Sequence, residues 1–139
     1  MTDPSMSSEQ GDNPATCVVI LDHHPETDDV LDVARGEILK FEHRETIYPG
    51  WIWCIQASGH QAWVPEAFVV FEEGGCRMQR DYVSRELAIK EGEVVEVAEV
   101  TSGWGWVCNQ MGEWGWVPLQ CLDYFTLKGS KSIDHFRSV

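Results

Sequence analysis

"WGWVCNQMGEWGWVP", residues 104–118, sets four tryptophans, Trp104, Trp106, Trp114 and Trp116, among glycines and ends on Pro118. Within each Trp-Gly-Trp the indoles are two residues apart, so an extended chain carries both on one face. Much the same text occurs earlier in the chain. "GWIWC" from 50 matches "GWGWVC" from 103, "GHQAWVPEAFV" from 59 matches "GEWGWVPLQCL" from 112, and "GEILKF" from 36 matches "GEVVEV" from 92. Trp51 precedes Pro65 by fourteen residues, and Trp104 precedes Pro118 by the same fourteen. Equal internal spacing of this kind means two copies of one supersecondary unit.

The 139 residues have room for two units of about 55–60 residues, each near the lower limit for a self-sufficient core. "CVVIL" from Cys17 and the runs "GEILKF", "WIWCIQA" and "QAWVPEAFVV" are short strand signals separated by turn formers, with no sustained helical period. Gly36, Gly92 and Gly112 read as turn glycines. The fold class is all-β: two small five-stranded barrels in tandem, joined by "EEGG" (72–75), a linker short enough to restrict their relative motion. Residues 1–16 offer nothing to bury and read as a disordered leader. The barrels are expected over 17–72 and 76–125, and 126–139 form a polar tail.

A net charge of −13 repels nucleic acid and anionic membrane and attracts basic partners. No apolar run reaches membrane-spanning length. The N-terminus lacks a secretion signal, and Cys17, Cys54, Cys76, Cys108 and Cys121 make an odd set without a CxxC pair, which reads as reduced thiols in a cytoplasmic protein. His23 and His24 lack metal-ligand spacing and, adjacent on a strand, point to opposite faces, so neither a metal nor another cofactor is expected. Paired carboxylates, a nucleophile context and a phosphate loop are all missing from the sequence, so no catalytic residue is assigned and the chain does not read as an enzyme.

Over about fifty residues the second repeat resembles a Src homology 3 (SH3) domain. "MQRDYVSRELAIKEGEVVEV" stands for the family's ALYDY strand, acidic loop and Leu-x-Phe-x-x-Gly-Glu segment, "GWGWV" for its tryptophan pair, and "GWVPLQCL" for its Gly-Tyr-Val-Pro-Ser-Asn-Tyr-Val. The first repeat, with "VILDHH", "DVLDVARGEILKF", "GWIWC" and "AWVPEAFV", is a more divergent relative. The resemblance implies a barrel whose groove grips an extended polyproline II peptide between aromatic rings, with a loop carboxylate holding a ligand Arg or Lys. Carried over by position, the second groove comprises Tyr82, Glu86, Trp104, Trp116 and Pro118, and the first comprises Trp51, Trp63, Pro65 and Phe68 with Asp28 and Asp29 beside the loop-acid position. Arg80 and Cys121 stand where the family has tyrosines, and Leu21 and His23 replace both ALYDY tyrosines.

The expected function is a non-enzymatic interaction module or adaptor. Its partner is a protein or peptide with a basic or proline-rich segment, and neither nucleic acid nor membrane is a partner. The alternative is a structural or assembly protein, its aromatic surface buried between the repeats or in a homodimer. Trp53, Trp106 and Trp114 fit either reading, since large aromatics dominate small cores and interfaces alike.

Overall fold

The computed structural model describes residues 15–25 and 29–123. Asp28, residues 1–14 of the expected leader and the expected tail lie outside the described residues. The regular elements described are strands and two short 3-10 turns, as the all-β reading expects. The strands are β1 (Ala15–Val18), β2 (Asp32–Val33), β3 (Ile38–Glu42), β4 (Trp51–Ile55), β5 (Gln61–Pro65), β6 (Val69–Glu72), β7 (Gly75–Met78), β8 (Tyr82–Val83), β9 (Val94–Thr101), β10 (Trp104–Cys108) and β11 (Trp114–Pro118). Strand β1 starts at Ala15, inside the segment expected to be a leader, because Cys17 and Val19 are fully buried.

The chain divides into two compact units, but not at the "EEGG" segment. Of the described residues, one unit contains those up to His24 together with those from Leu87 to Asp123, and the other is Pro25–Glu86. In the first unit the sheet order is β11-β10-β9-β1, and the second holds β5-β4-β3-β7-β6 and the small β2-β8 ladder. Each unit therefore takes its opening strand from the other repeat. Strand β1 lies antiparallel to β9, with Cys17 opposite Val95, and β7 lies antiparallel to β3, with Cys76 opposite Leu39. The arms that follow are exchanged in the same way: His23 bridges Ile89, while Asp32 and Val33 pair with Val83 and Tyr82.

The cause is local. "EEGG" is a hairpin turn rather than a linker, with Glu72 opposite Gly75 and β7 folding straight back along β6. A tight turn of this length favours pairing of its own flanks over delivery of β7 to a separate unit. Gly75 is required by the approach that follows, because a Cβ there would lie 2.3 Å from the Leu39 carbonyl oxygen.

The two cores are small. In the first unit Val19, Ile89, Val95, Val107 and Val117 cluster with Cys17, Cys121 and Leu122. In the second, Leu31, Leu39, Ile52, Val64, Cys76 and Met78 are fully buried. Each such side chain contributes about 1.5–3 kcal/mol through burial, so neither unit has much to lose.

Candidate functional site

Every residue of the two expected grooves inside the described segments can be placed. Tyr82 and Glu86 fall in the Pro25–Glu86 unit, with Trp51, Trp63, Pro65, Phe68 and Asp29, whereas Trp104, Trp116 and Pro118 fall in the other. The set expected to form the second groove is thus divided by the strand exchange. Tyr82 joins the rings of the first repeat: its hydroxyl donates to the Trp63 carbonyl oxygen at 2.9 Å, and its ring meets Phe68 edge to face at 5.7 Å.

In this unit three of the rings are closed. Trp51 is 8% exposed, and Phe68 and Tyr82 are 5% exposed. Burial first, and the Glu86 charge second, hold the Tyr82 phenol protonated well above its ordinary range. The guanidinium of Arg80 lies 4.0 Å over the Phe68 ring, so the residue that replaces a family tyrosine itself covers the slot. Trp53 and Trp63 are half-buried and meet edge to face at 5.3 Å, and Arg44 lies 4.1 Å over Trp53. Glu42 sits directly across from Trp53 and holds the Arg44 guanidinium at 2.8 Å. Asp29 is tied to the loop between β4 and β5, with His60 Nδ1 at 2.6 Å and the Gln61 backbone N–H at 3.1 Å. The His60 bond is the largest cause holding the Asp29 carboxyl below its usual range.

The other unit has a different face. Thr101, Ser102, Gly103 and Trp104 form a two-residue hairpin with φ of 48° at Ser102 and 89° at Gly103. Positive φ at both central positions matches the right-handed twist of the flanking strands. Strand β10 therefore starts with Trp104 on its outer side, and alternation puts Trp106 and Cys108 beside it while Val107 enters the core. On β11, Pro118 lies opposite Trp104, Trp116 opposite Trp106, and Trp114 opposite Cys108. Trp106 stacks on Trp114 at 5.9 Å with 19° between the planes and is tilted against Trp116 at 5.2 Å. His23, from the exchanged segment, meets Trp104 edge to face at 5.5 Å.

Accessibility grades along this row. Trp116 is 3% exposed and Pro118 is buried, whereas Trp104 and Trp106 are half-buried and Trp114 is 37% exposed. On the third strand of the face, Glu96 is opposite Cys108, Glu99 opposite Trp106 and Thr101 opposite Trp104. A bulge between Val97 and Glu99 brings Glu99 to this side, because one extra residue reverses the inward and outward alternation. Glu96, Glu99, Glu42 and Arg44 were not among the sequence-derived site residues. They are recognised only by cross-strand register, which the linear pattern does not contain.

Among the described residues, no group of three or more His, Cys, Asp or Glu side chains is placed to hold a metal ion. None of the five cysteines is in a disulfide. Residues 76–123 match the family model of the variant SH3 domain. This match begins on β7 in one unit and continues through β9–β11 in the other, so the sequence repeat and the compact body do not coincide. No curated protein matches the chain.

Proposed function

We propose that this chain is a non-enzymatic interaction module that accepts an extended, basic or proline-containing segment of a partner protein on the tryptophan face of β10 and β11. One observation carries the reading: Trp104, Trp106 and Trp114 form a partly open row on one strand face, in a chain of net charge −13. Indole faces accept proline rings and guanidinium groups, and the surrounding field draws basic segments toward them. The variant SH3 match over residues 76–123 supports an interaction role of this type. Reduced thiols accord with a cytoplasmic setting.

Isothermal titration with proline-rich, arginine-containing peptides tests the proposal. Saturable heat that is lost in a Trp104→Ala variant supports it, and absence of heat with every such peptide removes it.

The structural alternative keeps a place in the Pro25–Glu86 unit, where Trp51, Phe68 and Tyr82 are closed. There, the aromatic rings of the duplicated motif build the unit's own core. Acrylamide quenching of single-tryptophan variants separates the roles, with Trp114 quenched strongly and Trp51 protected.

A further inference from the structure

We infer that Cys54 and Cys76 form a site of oxidative modification, at which hydrogen peroxide converts two facing thiols into a disulfide that holds the exchanged strand β7 in its sheet. The site belongs to the Pro25–Glu86 unit and is independent of the tryptophan face on β10 and β11.

Cys54 on β4 and Cys76 on β7 are both fully buried, and their sulfurs lie 3.8 Å apart in a weak hydrogen bond. The two strands are not neighbours. Strand β3 runs between them, with Phe41 opposite Cys54 and Leu39 opposite Cys76. A bond between the sulfurs therefore crosses β3 and ties three strands together.

The other unit supplies the comparison. Leu39 and Val95 are equivalent, each three residues beyond the glycine of its Gly-Glu, so Cys76 opposite Leu39 matches Cys17 opposite Val95. Cys54 lies three residues beyond Trp51, and the residue three beyond Trp104 is Val107. One core position thus holds valine in one unit and a second thiol in the other. Strand exchange decides which thiol Cys54 meets. If each repeat kept its own opening strand, Cys17 would stand opposite Leu39 and meet Cys54, while Cys76 would enter the core that contains Val107. The Cys54–Cys76 bond belongs to the exchanged chain alone, and once formed it holds β7 there.

Burial raises both thiols. Beyond burial, Cys76 raises Cys54 further, whereas the hydrogen bond from Cys54 lowers Cys76. Cys76 is therefore the sulfur that ionises first and attacks, since the thiolate is the nucleophile. Its thiolate takes one peroxide oxygen, the O–O bond breaks, and the released hydroxide gains a proton to leave as water. The Cys54 sulfur then attacks the Cys76 sulfenic acid, the S–O bond breaks, and a second water carries off the Cys54 proton. Two thiols lose two electrons and the peroxide gains them. Oxidant reaches the pair through local opening of the β6–β7 hairpin, because β6 is the sheet edge and its Val70 and Phe71 are exposed.

The test treats the reduced full chain with hydrogen peroxide, blocks remaining thiols with N-ethylmaleimide and digests with a protease that cuts after glutamate. Glu66, Glu72 and Glu73 lie between Cys54 and Cys76, so the two fall on separate fragments. A Cys54–Cys76 linked pair, released by dithiothreitol, is expected in the wild type and in Cys108→Ser, and none in Cys54→Val, which copies the other unit. The Met78 amide bonds the Glu37 carbonyl oxygen at 2.8 Å. Its deuterium exchange should slow about thirtyfold on oxidation, toward the low end of what closing a loop of this size gives.

Cys54 and Cys76 both blocked by maleimide after treatment that oxidises Cys108, or Met78 exchange unchanged in the linked chain, would overturn the inference. A Cys17–Cys54 link would overturn it together with the strand exchange. If Cys54→Val does not fold, the linkage map of the wild type and Cys108→Ser decides.

Discussion

The exchange of opening strands makes a sharp energetic prediction at Tyr82. The Tyr82 ring lies 5.7 Å from Phe68 at 75°, and both are buried. An edge-to-face pair of this kind contributes about 0.5–1.5 kcal/mol beyond its buried area. Replacing either ring by leucine keeps an apolar side chain in place, so a double-mutant cycle isolates the ring pair. Phe68→Leu also loses the Arg80 contact, and Tyr82→Leu also loses the bond to the Trp63 carbonyl, but each of these losses occurs in both legs of the cycle and cancels. Tyr82→Phe alone should cost about 1 kcal/mol, the net value of one hydrogen bond. Urea unfolding followed by linear extrapolation should give a Tyr82–Phe68 coupling of about 1 kcal/mol. A tandem arrangement would instead set Tyr82 beside the rings of its own repeat. Coupling to Phe68 near zero, with comparable coupling to Trp104 or Trp116, would refute the exchanged pairing.

Three further outcomes are expected. Gly75→Ala should destabilise the chain by about 1–3 kcal/mol, because its Cβ would press on the Leu39 backbone; an unchanged urea midpoint would contradict this. Asp29 has a depressed carboxyl pKa, so its contribution is complete above the ordinary value of about 3.9 and is lost as pH falls through its lower folded value. The thermal advantage of the wild type over Asp29→Asn should therefore disappear on acidification through that range, and a gap that persists below it would be inconsistent. Burial raises the Cys54, Cys76 and Cys121 thiols, and Cys108 is half-buried, so iodoacetamide should label Cys108 first, as read by mass spectrometry; equally rapid labelling of Cys54 or Cys76 would show that the second core is open.

Much of this architecture was legible in particular residues. The alternation around Trp104 and Trp106 fixed their shared face, and the fourteen-residue interval from each first tryptophan to its proline corresponds to the observed pairings of Trp51 with Pro65 and Trp104 with Pro118. Strand exchange was less accessible, because β1 and β7 are both four-residue strands with a buried cysteine, and either fits either sheet by pattern alone. The available clue was Glu72–Gly75, a short turn sequence directly between "FVVF" and "CRM".

The site was only partly legible for a similar reason. Motif position identified the rings but not their exposure, which depends on what lies over them. In one unit Arg80 covers Phe68 and Arg44 covers Trp53. The Ala98 bulge that brings Glu99 beside Trp106 depends on hydrogen-bond register between strands, a non-local property.

The membership of each candidate site follows from which opening strand enters which sheet, and nuclear Overhauser contacts between backbone protons measure that directly. Contacts between Cys17 and Val95 and between Cys76 and Leu39 are predicted from the observed pairings. Contacts between Cys17 and Leu39 and between Cys76 and Val95 would contradict the account and restore the tandem arrangement.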